Sequence, residues 1–177
     1  MRAFAALDIP DDAKKEISEK YTSGRDFLNP SKEMHLTVLF IESLADRHTA
    51  AVSESIARVC SGNHSFMISA CGVGEFGHGR VVYLKMTNGF RNILELHSVL
   101  YTEINRITAL RAEEKEFFPH ITLGRPFSRD RNRAAEYTTG QAWSKISFAC
   151  KGISFFKSRN DGGSYVHTII ASYPFAP

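Results

Sequence analysis

Cysteine is scarce in this chain. Cys60, Cys71 and Cys150 form an odd set with no C-x-x-C spacing. Such a set argues against a disulfide framework and against a thiolate zinc cluster, and it suits a reducing, cytoplasmic setting. Long hydrophobic runs are missing too. Nothing approaches the roughly 18 consecutive apolar residues of a membrane span, so no membrane partner is expected. The apolar start over residues 1–9 is interrupted by Asp8 and closed by Pro10, too short for a signal peptide. Charge of one sign is weak: 22 Lys and Arg against 19 Asp and Glu leave a net +3. That excludes a dedicated nucleic-acid-coating protein but tolerates an anionic ligand. No Pro-rich, Ser-rich or low-complexity stretch divides the 177 residues, which read as one domain over 1–177. A hydrophobic content of 43% supplies its core.

What is present is a tetrapeptide that occurs twice. His35-Leu36-Thr37-Val38 and His120-Ile121-Thr122-Leu123 both read histidine, apolar, threonine, apolar. On a strand, residues two apart share a face, so each His–Thr pair faces one way and each apolar pair faces the core. With 7 His and 10 Thr in 177 residues and 43% hydrophobic content, about 0.07 matches are expected from composition. The other five histidines, His48, His64, His78, His97 and His167, lack Thr two residues on.

Periodicity predicts strands at residues 3–9, 34–41, 65–70, 81–86, 117–124, 145–157 and 165–172. It predicts helices from Asp11-Asp12 to about 23, from Asp46, from a cap at Asn88 to about 107, and a short polar one over 129–137. Residues 24–30 read as loop. Pro119 places a strand start or a sheet edge just before His120. Asn160-Asp161-Gly162-Gly163 reads as a hairpin turn. Gly72, Gly74, Gly77 and Gly79 read as a hairpin loop, since no Lys-Ser/Thr and no helix follow them. Both motif strands are preceded by a strand and a helix and followed by a helix. The expected fold is α+β, with a largely antiparallel sheet.

Two facing histidines near their ordinary pKa of about 6.5 can divide acid–base work. A neutral one takes a proton from water and a protonated one gives a proton to a leaving oxygen. Threonine hydroxyls donate to phosphoryl oxygens and stabilise the charge that develops there. That equipment suits metal-free cleavage of a phosphodiester, most readily a strained cyclic one, and no cofactor is required. Arg125 follows the second motif, where its fork suits phosphate.

Through these motifs, and over essentially the whole chain, the sequence resembles the 2H phosphoesterase superfamily, within it the RNA 2′,3′-cyclic phosphodiesterase (2′-5′ RNA ligase-like) family. Residues 1–10, Pro119 to Arg125, Phe155-Phe156-Lys157-Ser158 and Tyr165 carry the rest of the resemblance. It implies a two-lobed fold with a pseudo-two-fold axis, largely antiparallel sheets and a central groove. It also implies His35 as proton donor to O3′, His120 as proton acceptor, and a 2′-phosphate product. The sequence alone is symmetric and does not choose between the histidines. The substrates implied are RNA ends or small nucleotides bearing a 2′,3′-cyclic phosphate. A monomer is the expected state, though no sequence feature reads it out.

Other residues read more plainly. Phe27 and Phe127 are expected to pack in the core rather than stack a base. Arg129, Arg131 and Arg133 fit a solvated helix as well as an RNA-steering patch, and Glu113, Glu114 and Glu116 fit a solvent-facing run. Two rival readings are a non-catalytic RNA- or nucleotide-binding module and a metallohydrolase. The second lacks H-x-H and H-E-x-x-H spacing. Ligation is available as the reverse reaction.

Overall fold

The fold is described by a computed structural model over residues 1–22, 25–31, 33–109, 117–139, 143–162 and 164–176. Residues 23 and 24, the acidic run Glu113, Glu114 and Glu116, and Gly163 of the expected turn lie outside the described residues. In chain order the elements begin with β1 (Arg2–Leu7), α1 (Asp11–Ile17), β2 (Leu28–Pro30), β3 (Leu36–Ile41), α2 (Thr49–Ser61) and β4 (Phe66–Phe76). They continue with β5 (Val81–Asn88), α3 (Phe90–Asn105), β6 (His120–Pro126), α4 (Arg131–Thr139), β7 (Ile146–Cys150), β8 (Gly152–Asp161) and β9 (Ser164–Pro174).

The strands form two sheets, ordered β3-β1-β8-β9 and β2-β6-β5-β4-β7, and the pairing within each is antiparallel. The duplication is visible in that order. Each sheet runs from a motif strand, β3 or β6, to the strand joined to it through a helix, β1 or β5, and then to two more. Strand β2 is the addition at the second sheet's edge. The helices cover the outer faces: α2 lies on β8 and β9, α3 on β3 and β5, α1 on β7, and α4 on β4. The expected α+β, two-lobed, pseudo-two-fold architecture is therefore the observed one. No helix among the described residues is long and apolar enough to cross a membrane.

One hydrophobic core joins the lobes. Leu7, Leu36, Val38, Ile153 and Phe155 come from the first sheet, and Ile68, Leu84, Ile121 and Leu123 from the second. Ile17, Ile56, Ile93, Leu100 and Ile104 arrive from the helices at the 3.6-residue spacing of an amphipathic face. Asp11 and Asp12 do open α1, where acidic side chains complement the helix dipole. The helix then widens into a π turn over Ser18–Thr22.

Several expectations change. Asn88 ends β5 instead of capping α3; Gly89, in the left-handed region at φ 82°, makes the turn. The single strand expected over 145–157 is two strands in different sheets. Exposed Lys151 carries the crossing, and its carbonyl accepts from the Phe175 N–H at 2.8 Å. Residues 24–30 hide the short β2, whose Asn29 and Pro30 disguise it as loop. Gly72 and Gly74 lie inside β4, and only Gly77 and Gly79 sit in the turn. Pro119 marks a strand start, for β6 begins at His120 between β2 and β5.

Leu36 sits between the motif His and Thr with its side chain fully buried on the opposite face. Leu36→Ala is expected to lower stability by about 2–5 kcal/mol in urea unfolding. A loss under about 1 kcal/mol would contradict that placement.

Candidate active site

The motif strands share a local device. Thr37 pairs with Ala6 and Leu39 with Ala5, so Val38 is the extra residue of a β-bulge. In the second sheet Thr122 pairs with Tyr83 and Gly124 with Val82, so Leu123 is extra. The fourth motif residue is thus bulged in both copies. Val38, Leu39, Leu123 and Gly124 are all buried. The bulge returns the next residue to the His–Thr face. That residue is Phe40 in one lobe and Arg125 in the other, and both are exposed.

The two histidines are held alike. The Nδ1 of His35 lies 3.0 Å from the Glu33 carbonyl oxygen, and that of His120 lies 2.9 Å from the Phe118 carbonyl oxygen. A carbonyl only accepts, so Nδ1–H donates in both rings and Nε2 is the nitrogen left for chemistry. Each carbonyl belongs to the residue two before the histidine, just outside the strand, where no ladder bond claims it. Thr37 and Thr122 are half-buried, and their hydroxyls make no hydrogen bond among the described residues. Arg125 has no ion-pair partner among the described residues.

Aromatic rings surround both imidazoles. Phe4 stacks on His35 at 4.9 Å, Phe156 lies 6.2 Å away, and Phe4 and Phe156 stack on each other at 4.8 Å. Around His120 stand Phe76 at 5.0 Å and Tyr83 at 5.5 Å, themselves stacked at 4.2 Å. Gly74 makes that stack possible, because a Cβ there would overlap the Tyr83 ring. Burial among these rings disfavours the charged imidazolium. It pushes His35 down to about 4, helped by the charges of His167 and His120 and opposed by the Glu33 carbonyl. It also pulls His120 below its ordinary value, against the Phe118 carbonyl. The charge of His120 is felt at His35, so the two motif imidazoles lie within electrostatic reach of each other.

Phe27 is core, 5% exposed and edge-on to Tyr137. Phe127 is not core: it is 45% exposed, with the Arg129 guanidinium 5.9 Å above its ring. Arg133 pairs with Asp26 at 2.6 Å and Asp130 at 3.6 Å, and Arg129 with Asp130 at 3.5 Å, so two of the three arginines of the cluster sit beside carboxylates. Sequence reading missed His167, whose ring packs at 90° to His35. The alternation Tyr165, His167, Ile169 along β9 was the available signal. It also missed Arg2, whose guanidinium lies 4.9 Å from the Phe40 centroid and 4.7 Å from that of Tyr165.

Each lobe thus carries one histidine tethered through its Nδ1 to a backbone carbonyl. The model of the 2′-5′ RNA ligase superfamily matches residues 9–162, which include both motifs, and the chain belongs to that family of 2H phosphoesterases. A relative from Thermotoga maritima named RNA 2′,3′-cyclic phosphodiesterase is 31% identical over 134 residues, 71% of this chain and 70% of that protein. E. coli LigT in its apo form has the same fold, with TM-score 0.78, 21% identity, and coverage of 99% of this chain and 98% of that one. TT0787 of Thermus thermophilus also matches with TM-score 0.78, at 20% identity over 99% and 98% of the two chains.

Both histidines are expected as the Nδ1–H tautomer when neutral. Long-range ¹H–¹⁵N correlation spectra above pH 7 check this. An Nε2–H signature at either position contradicts the tether.

Proposed function

We propose that the protein hydrolyses 2′,3′-cyclic phosphodiesters at RNA ends or on small nucleotides, without a metal, to a 2′-phosphomonoester. The observation that carries this reading is the matched pair of Nδ1-tethered histidines, each with its threonine on the same face of the groove. The T. maritima relative's name and the complex of E. coli LigT with 3′-AMP support a nucleotide as substrate.

Water attacks phosphorus in line with the P–O3′ bond. His120 Nε2 takes the water's proton as the new P–O bond forms. The P–O3′ bond breaks, and His35 Nε2–H gives its proton to O3′, so a hydroxyl leaves at the 3′ position and the phosphate stays on O2′. Thr37 and Thr122 hydroxyls donate to the non-bridging oxygens, and Arg125 reaches the same charge from the strand beyond the bulge. The donor and acceptor roles follow the family resemblance. The opposite orientation of the two lobes about the groove is what lets one act on each side of phosphorus. A monomer suffices, since both histidines come from one chain. A reducing cytoplasm fits the three free cysteines.

The electrostatics favour an anion. With the groove empty, burial keeps both imidazoles neutral. A phosphodiester anion between them favours the charged form and restores a proton to the donor. Substrate and proton therefore enter together.

Purified protein is expected to convert 2′,3′-cyclic AMP to 2′-AMP in EDTA. His35→Ala and His120→Ala are each expected to lower kcat by about 10²–10⁴-fold, read by chromatography of the two AMP isomers. Full activity in either variant, or a requirement for added metal, sinks the reading. Because both folded-state values lie below that of free histidine, kcat/KM is expected to be bell-shaped with both limbs below about pH 6.5, and the kcat limbs should lie higher. A kcat/KM optimum above pH 7 is the contrary result.

A further inference from the structure

The two half-sites are near copies with one difference. Among the described residues, His120 is framed by the rings of Phe76 and Tyr83, neither of which is cationic. His35 is framed by Phe4 and by a third imidazole, His167 of β9. The three rings form a closed cluster: Phe4 to His35 at 4.9 Å, Phe4 to His167 at 4.9 Å and 85°, and His35 to His167 at 5.4 Å and 90°. His167 reaches this place because β8 and β9 pair Ser158 with His167, and β1 and β8 pair Arg2 with Ser158 on the groove face. Its Nδ1 is buried and has no hydrogen-bond partner among the described residues.

Resting on the two-histidine hydrolysis above, we propose that His167 is a positioning residue of the donor half-site, a third imidazole that fixes the His35 ring and couples its charge to the occupancy of the groove. The Glu33 carbonyl holds one edge of His35, Phe4 covers one face, and His167 stands perpendicular to it. Together they leave the ring one orientation, with Nε2 toward the reacting phosphodiester. Two imidazolium charges about 5 Å apart repel strongly in a partly dry site. Burial lowers His167 as well, and the nearby Glu33 carboxylate opposes that by favouring its charged form; a charge on His167 disfavours one on His35. The charged and titratable groups around the pair are Glu33 before β3, His120 on β6, Arg2 on β1 and Tyr165 on β9; Phe156 and Ser158 of β8 are neutral. Arg2 is held by the Tyr165 hydroxyl and the Phe40 ring. A bound phosphodiester anion then offsets the repulsion, and His35 becomes charged only when there is an oxygen to protonate.

The test separates packing from charge. His167→Phe keeps a ring against His35 and removes the titration; His167→Ala removes both. In the free protein, His35 of His167→Phe is expected to titrate about one pH unit higher than in the wild type, followed by its imidazole Cε1–H resonance. The kcat/KM optimum of that variant moves upward in step. His167→Ala is expected to lose about tenfold in kcat with KM changed less than twofold, the mark of a ring out of line and not of weakened binding. A His35 midpoint unmoved in His167→Phe, or unchanged kcat in His167→Ala, overturns the proposal. The resonance titration needs no substrate. A wild-type protein inactive on every cyclic phosphodiester therefore defeats the hydrolase reading separately.

Discussion

The site depends on one hydrogen bond made twice, from an imidazole Nδ1–H to the carbonyl two residues earlier. It sits where the chain enters a strand, so the carbonyl is free of the ladder and close to the ring. In the second lobe Pro119 separates Phe118 from His120 and brings no N–H of its own, which keeps the local pattern simple. The bond orients the ring, which leaves Nε2 free, and fixes the neutral tautomer, which makes that nitrogen the acceptor. Without it, two buried histidines would be two rings with no assigned acceptor. With it, the rigid sheets position Nε2 from backbone geometry alone.

The second constraint is the bulge at the fourth motif residue. A strand in regular alternation would turn Leu39 and Gly124 toward the groove and Phe40 and Arg125 into the core. The extra residue reverses this. It sinks two consecutive residues into the interior and lifts the next one onto the chemical face. The lobes then diverge by what they lift, the Phe40 ring in the first and the Arg125 guanidinium in the second. A duplicated backbone thus carries two unlike half-sites, which an asymmetric reaction requires.

The motif residues and the α+β class were legible in the sequence because both rest on the strand period. His35, Thr37, His120 and Thr122 announce themselves by spacing, and the apolar partners between them confirm the face. The β7–β8 crossing was not legible, since residues on both sides of Lys151 are equally apolar and the break belongs to tertiary packing. β2 was hidden for a related reason: its three residues gain their strand state from β6, not from their own propensities. His167 was set aside because it lacks a threonine partner. Its contact with His35 spans the sheet from β9 to the start of β3, three strands away, and no local pattern records that. Phe127 shows the opposite error, an aromatic taken for core that the turn after β6 leaves exposed beneath Arg129.

Burying the imidazoles disfavours their charged form, and under the proposed mechanism that cost has a use. An exposed histidine would be half protonated near neutrality whether or not substrate was present, and water would blunt its interaction with phosphate. Among the rings of Phe4, Phe156, Phe76 and Tyr83 the charged form is unfavourable, and a bound anion would offset that. The same low-polarity walls would strengthen any hydrogen bond or ion pair made to an anion between them. Depressed basicity in the empty site and strong electrostatics in the filled one have a single cause, the ring cage. The first lobe adds His167 to that cage, and a charge on His167 further disfavours charge on His35.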